Sequence, residues 1–420
     1  MERKQKFIVP IIVMFLLFFM IAFVTNFAGS MGVIVKNQFG TSNALAQLGT
    51  LANFIAYACM GIPAGIILKR KGYKFTSLLA VTVGFVGVGI QFLAGPMGSF
   101  AVYVSGALVA GFAMCLLNIV VNPMLNTLGG GGNKGNQLIQ WGGTINSTGG
   151  TLAPILLGYL IGGAVSDAKV SDAAPAMIIA MAIFAVAFVV IFFTKIPEPH
   201  LESKADRAVK VKDSHSPLSF RHFVLGAIAI FFYVGVEVGI PNTANLYMTT
   251  STDGGGLGLG ADLAGWFIGA YWFLMLCGRF LGGVIGGKVS SKTMLSCTAL
   301  IAVAFILCLI LIPETATVHL HGADVPMKIA FATLCGLCTS VMWGAIFNLS
   351  NEGLGKYTPM ASGIFMTLVC GGGIMTLLQN ALADKIGYVG SYWLVVAGFA
   401  YILLYALVGS KNVNKDIPVE

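Results

Sequence analysis

Residues 197–221 read PEPHLESKADRAVKVKDSHSPLSFR, with nine charged residues and three prolines among 25. On either side the chain turns apolar at once. Residues 222–249 read HFVLGAIAIFFYVGVEVGIPNTANLYMT, and residues 175–196 are equally apolar. A bilayer-spanning helix needs about 20 mostly apolar residues, and both flanks reach that length. Working outward, the same kind of run recurs at 8–36, 45–68, 76–96, 99–127, 137–163, 263–287, 293–313, 327–350, 360–383 and 389–410, which makes twelve in all. Spans of an outer-membrane barrel would be about 10 residues with strict alternation. These runs are twice as long and do not alternate, so helices are expected. Six runs precede the charged stretch and six follow it. The chain therefore divides into a first half, 1–196, a connection, 197–221, and a second half, 222–420.

Composition gives the same class. Of 420 residues, 57% are hydrophobic and 10% charged, with a mean hydropathy of +0.88. Soluble domains carry roughly 25% charged residues, and a soluble globule could not cover this much apolar surface. Disorder is excluded for the same reason. The first run far exceeds the apolar core of a cleaved signal peptide. If the N-terminus is cytoplasmic, twenty of the twenty-four Lys and Arg fall on that side, and only Lys36, Lys169, Lys328 and Lys385 fall on the other. That asymmetry places both termini in the cytoplasm. The net charge of +8 then reports topology and not nucleic-acid binding. The expected setting is a bacterial inner membrane, with the lipid bilayer as partner and the chain a monomer. All eight cysteines lie within the runs; Cys335 and Cys338 read as small packing residues, because no second pair or nearby His completes a metal site.

The two halves carry traces of a repeat. Gly65 and Lys74 end the second run; Gly283 and Lys292 end the eighth, again nine residues apart. Gly111 precedes Asn118 by seven in the fourth run, and Gly336 precedes Trp343 by seven in the tenth. A six-plus-six repeat joined by a basic cytoplasmic connection is the architecture of a secondary transporter of the major facilitator type, with its site at mid-membrane between the halves. The glycine stretches 129–132 and 254–260 lack the phosphate-loop ending and read as flexible connectors.

Polar groups inside apolar runs are costly, so their positions are informative. Of sixteen acids only Glu237 lies deep in a run, fifteen residues past His222, or roughly 22 Å. Tyr233, Glu237, Pro241 and Asn245 are spaced by four and share a face. Pro241 should loosen the helix and free carbonyls. A protonated, structurally bonded Glu is the competing reading. Asn118, Asn122 and Asn126 form a second stripe; Gln140, Thr144, Ser147 and Thr151 form a third, with Asn146 beside it. Such stripes either glue helices together or line a wet cavity. Asn118, Gln140 and Asn146 are taken as cavity-lining. Trp272 and Trp343 lie deep in their runs, whereas Trp141 is near the cytoplasmic end. Arg279, about two turns from the end of the eighth run, could join Lys69 and Arg70 in an inner gate; snorkelling to the headgroups is the alternative. Nothing forms a Ser/His/Asp arrangement, a metal cluster or a carboxylate pair, so enzymatic activity is not expected.

Three stretches carry a family likeness: Asn122-Pro123 with NQLIQWGGTINSTGGTLAP at 136–154, IFNLSNEGLGKYTPMASGIFMTLVCGGGI at 346–374 running on to Ala383-Asp384, and CGRFLGG from Cys277. In these the chain resembles the fucose:proton symporter family of the major facilitator superfamily, which includes bacterial glucose/galactose transporters. The resemblance implies import of a hexose such as glucose, galactose or fucose by cation symport with alternating access. It implies Asn146 as a sugar ligand. The family's acids of the first and fourth helices fall here on Gly29 and Asn118. Sugar is therefore expected near Asn118, Gln140, Asn146, Glu237 and Trp343, with aromatic faces stacking on it and amides bonding its hydroxyls. Glu237 is expected to couple the cation, H⁺ or Na⁺, with no other cofactor. An exporter of drugs or other small organic molecules is the alternative, and a sugar sensor a third reading.

Overall fold

A computed structural model describes residues 8–39, 48–161, 169–201, 215–320 and 323–419. Arg3, Lys4, Lys6, Lys204, Arg207, Lys210 and Lys212 lie outside the described residues. Hydrocarbon offers no hydrogen-bond partners, so each apolar run closes its own backbone ladder as helix. Before the connection stand α1 (Ile8–Phe39), α2 (Leu48–Met97), α3 (Phe100–Leu128), α4 (Gly132–Ile161) and α5 (Ala174–Phe193). After it come α6 (Arg221–Thr249), α7 (Ala261–Ile285), α8 (Ser291–Leu311), α9 (Lys328–Thr339), α10 (Met342–Asn351), α11 (Thr358–Thr367), α12 (Gly371–Ile386) and α13 (Tyr388–Leu404).

The twelve expected runs are all present, differently punctuated. The second and third meet without a loop: α2 turns a corner at Gly72, whose φ of 85° suits glycine. The tenth is broken between Thr339 and Met342, giving α9 and α10. The eleventh is broken by a tight turn over Leu368–Cys370, giving α11 and α12. One element was not foreseen. The loop after α8 folds as an antiparallel hairpin, β1 (Thr317–Leu320) and β2 (Ala323–Pro326), with Thr317 opposite Pro326. Among the described residues, ten helical segments are long and apolar enough to cross a membrane. The 30-residue α4 is not among them, because its polar stripe lowers its hydropathy; it is accommodated by packing against other helices. Its glycines admit α1 closely, since a Cβ on Gly142 would lie 2.8 Å from the Phe18 ring.

The corner at Gly72 is where the connection begins to dock. The Glu198 carboxylate accepts the backbone N–H of Tyr73 at 2.5 Å and of Lys74 at 2.8 Å, capping the second arm of α2 with negative charge. The Tyr73 hydroxyl bonds His200 Nδ1 at 2.7 Å. Burial pushes the His200 imidazole down to about 4, so near neutral pH it is uncharged.

Glycine seams bring the segments before and after the connection together, all near the basic loops. A Cβ on Gly61 of α2 would lie 2.6 Å from the Gly363 carbonyl oxygen of α11, and one on Gly65 2.9 Å from the Pro359 carbonyl oxygen. Between α4 and α7, a Cβ on Gly283 would lie 2.8 Å from the Trp141 ring. Gln137 Nε2 donates to the Gly283 carbonyl at 2.9 Å. Small residues here let backbones approach within bonding range. Toward the opposite end of α7, a Cβ on Gly265 or Gly269 would meet nothing within 4 Å among the described residues. These two glycines, with Trp266, Ala270 and Phe273, line a cleft of about 480 Å³.

Two outcomes follow. Gly363→Ala should overpack the α2–α11 seam and cost about 1–3 kcal/mol, whereas Gly269→Ala should cost nothing measurable; melting in detergent compares them. The His200 imidazole is held below its ordinary 6.5, so its contribution is complete above that pH and is lost as pH falls toward about 4. A melting-temperature profile of His200→Gln should lack that acid-side slope.

Candidate substrate and coupling site

Glu237 lies sixteen residues into α6, about 24 Å from its start. It has a partner. Arg279 of α7 places Nη2 3.1 Å from Glu237 Oε1, and both side chains are only 13% exposed. The same carboxylate oxygen accepts the Tyr233 hydroxyl at 2.7 Å, one turn earlier on α6. Two charges taken out of water need each other and further hydrogen bonds to hold their charge.

The other face of the guanidinium reaches the first half. Arg279 Nη1 donates to Ser147 Oγ at 2.8 Å, to Asn146 Oδ1 at 3.4 Å and to the Gly143 carbonyl at 3.5 Å, all on α4. Asn146 in turn donates to the Phe18 carbonyl of α1 at 2.8 Å. Arg279 is thus a bond across the halves with its charge balanced by α6. It does not join Lys69 and Arg70 at the α2–α11 seam, and it does not snorkel: its hydrogen bonds go to α4 and α6. Lys69 and Arg70 lie on the first arm of α2, beyond Gly65.

A second chain of bonds closes on the same region. Trp343 Nε1 donates to Asn122 Oδ1 at 3.0 Å. Asn122 Nδ2 donates to the Asn118 carbonyl at 2.9 Å, and Asn118 Nδ2 to the Tyr57 hydroxyl at 2.7 Å. The Trp343 ring lies 6.2 Å from the Tyr233 ring and edge-on to Phe365 at 5.9 Å, centre to centre. Trp343 follows the break between α9 and α10. The Val341 carbonyl, which caps α10 by accepting the Ala345 N–H at 3.1 Å, also accepts Gln140 Nε2 at 2.9 Å. Gln140 is 2% exposed and Asn118 7%.

All five candidate binding residues therefore belong to polar contacts that join helices. Asn146, Glu237 and Arg279 are brought into direct contact or one bond apart; Asn118 and Trp343 are linked through Asn122; Gln140 stands at the broken helix. Trp272 is 42% exposed on α7. Trp141 packs edge-on against Phe280 at 5.4 Å. Tyr57 and the Glu237–Arg279 pairing were missed from sequence. The pairing had a signal: Arg279 is the base set well inside a run, as Glu237 is the acid, and two lone opposite charges in hydrocarbon gain by meeting. Tyr57 had none, being one of twelve tyrosines. The surroundings of Gly29 lie outside the described residues. Among the described residues, no three His, Cys, Asp or Glu side chains converge as metal ligands.

Apolar crossings around a set of buried polar contacts, joined by glycine seams at one end, define a membrane transporter. The chain belongs to the Major Facilitator Superfamily, which it matches over residues 13–377. It is 30% identical over 399 residues to the glucose/galactose transporter of Brucella abortus, covering 94% of this chain and 93% of that one. It is 25% identical over 433 residues to the L-fucose-proton symporter of Escherichia coli, covering 98% and 95%. Its fold matches the crystal structure of the superfamily transporter FucP in the outward conformation with a TM-score of 0.81 at 21% identity, over 97% of this chain and 100% of that one.

Removing Arg279 alone leaves a buried carboxylate unpaired, at a cost of about 3–5 kcal/mol. Arg279→Gln should therefore melt well below the wild type in detergent, and Glu237→Gln/Arg279→Gln should recover most of the difference.

Proposed function

We propose that the protein imports a hexose across a bacterial inner membrane by proton symport, with Glu237 as the coupling residue. The observation that carries this is the Glu237–Arg279 pair, which ties an ionisable group on α6 to Asn146 and Ser147 on α4. Protonation turns the carboxylate neutral and releases the guanidinium. An unpaired buried guanidinium is costly, so proton binding is linked to whatever next engages Arg279 and its α4 partners. Sugar hydroxyls, which both donate and accept, suit that vacancy, with Asn118, Gln140 and Asn146 as amide partners and Trp343 as a stacking face. The relatives named for glucose, galactose and fucose support the substrate class.

Proton coupling is favoured over sodium by the same geometry. The Glu237 carboxylate already faces a guanidinium at 3.1 Å, and a second cation beside it would be repelled, whereas a proton removes the charge. The amide-rich ring also disfavours the exporter reading, which needs a pocket of aromatics and Met with few amides.

In this reading both termini are cytoplasmic and the basic loops mark the inner face. The sealed seams then close the inside, with Lys69 and Arg70 at that gate and Arg279 apart from it, bridging α4 and α6. The segments 1–196 and 222–420 rock as two bodies about the 197–221 connection, and the unit is one chain.

Vesicles given separate proton and sodium gradients test the reading. Labelled hexose should accumulate only under the proton gradient. Glu237→Gln should abolish accumulation while counterflow exchange of sugar continues; full accumulation by that variant removes Glu237 from the coupling role.

A further inference from the structure

Pro241 has no N–H, so the carbonyl four residues earlier in α6 lacks its helical partner. That carbonyl belongs to Glu237. An open carbonyl at this depth is costly, and in membrane helices neighbouring groups take over such bonds. Here α7 supplies the donor: the Tyr271 hydroxyl bonds the Glu237 carbonyl oxygen at 3.0 Å. Tyr271 is 1% exposed. Its hydroxyl oxygen also lies 3.3 Å from Thr339 Oγ1, at the last residue of α9 before the break. The Tyr271 main chain is held as well, since a Cβ on Gly336 of α9 would lie 2.9 Å from the Tyr271 carbonyl carbon. α7 therefore grips one residue at two points: Tyr271 takes the backbone of Glu237, and Arg279, two turns on, takes its carboxylate.

We propose that Tyr271 is a positioning residue for coupling: by occupying the carbonyl that Pro241 leaves open, it fixes the Glu237 backbone and so aims the carboxylate at Arg279 and Tyr233. The inference rests on the reading of Glu237 as the coupling residue. Without the phenol hydroxyl the carbonyl is unpaired and the helix relaxes locally around the proline. The carboxylate then leaves its ion-pair geometry, and proton movement is no longer tied to sugar movement. The pairing of a missing N–H with a supplied O–H makes this reversible by design. Alanine at position 241 restores an N–H where the Glu237 carbonyl can use it, and Tyr271 then becomes dispensable.

The test uses the full chain in proteoliposomes with labelled D-glucose, D-galactose and L-fucose, read with whichever the wild type carries. Proton-driven accumulation is divided by counterflow exchange, a ratio independent of the amount of active protein. Tyr271→Phe should lower this ratio at least about fivefold, and Tyr271→Phe/Pro241→Ala should return it to within about twofold of wild type. An unchanged ratio in Tyr271→Phe overturns the inference, as does loss of accumulation and exchange in parallel, or a double variant that stays uncoupled. If Tyr271→Phe fails to fold, the double variant decides alone: folded and coupled supports the inference, and any other result overturns it. Glu237→Gln is run beside them. Full accumulation by that variant sinks the coupling reading itself, whereas loss there with a wild-type ratio in Tyr271→Phe sinks only the positioning role.

Discussion

Inside a bilayer a polar group has only the protein to bond with. Most of this structure can be understood as a response to that constraint. The backbone answers with helices, but α6 carries a proline at 241, and the chain breaks helix at Ser340–Val341 and at Leu368–Cys370. At Pro241 the Tyr271 hydroxyl takes the carbonyl of Glu237. At the break Gln140 adds a second bond to the Val341 carbonyl, which already accepts the Ala345 N–H. The Gln140 bond crosses between the halves. An interruption that would be a defect in an isolated helix thus becomes a place where helices are joined.

The same constraint explains the ion pair. A lone Glu or a lone Arg at this depth would be strongly destabilising, and together they are tolerated because Tyr233, Ser147 and Asn146 supply the remaining bonds. A pair so placed is a poor source of stability but a sensitive one, because a single proton undoes its balance. The guanidinium spans two helices that belong to different halves, so the pair ties the segment before the connection to the segment after it.

The closed end is held by a different means. Glycines of α2 and α11 meet each other, and Gly283 of α7 meets the Trp141 ring of α4, at distances that leave no space for a Cβ. Such contacts carry little hydrogen bonding and no charge. They are weak enough to part yet specific in shape, as suits a seam that opens and closes. Gly265 and Gly269, on the same helix as Gly282 and Gly283, have nothing against them among the described residues. One helix thus carries close contacts at one pair of glycines and open space at another.

Much of this was legible in residues taken singly. The apolar crossings follow from apolar length, because the bilayer sets it. Glu237 stands out for the same reason, as do the amides at 118, 140 and 146. The loss of the Glu237 bond partner was also implied, since proline at 241 lacks a donor whatever surrounds it. What the linear order cannot express is which helix faces which. That Arg279 meets Glu237 and not the bases of α2, that Tyr271 rather than water fills the carbonyl, and that Asn122 bonds Trp343 221 residues away depend on how helices rotate and cross. Apolar surface is nearly uniform around these helices, so hydrophobicity does not choose the rotation. Glycine contacts and the need to satisfy each buried polar group do, and those are settled only when the whole bundle is assembled.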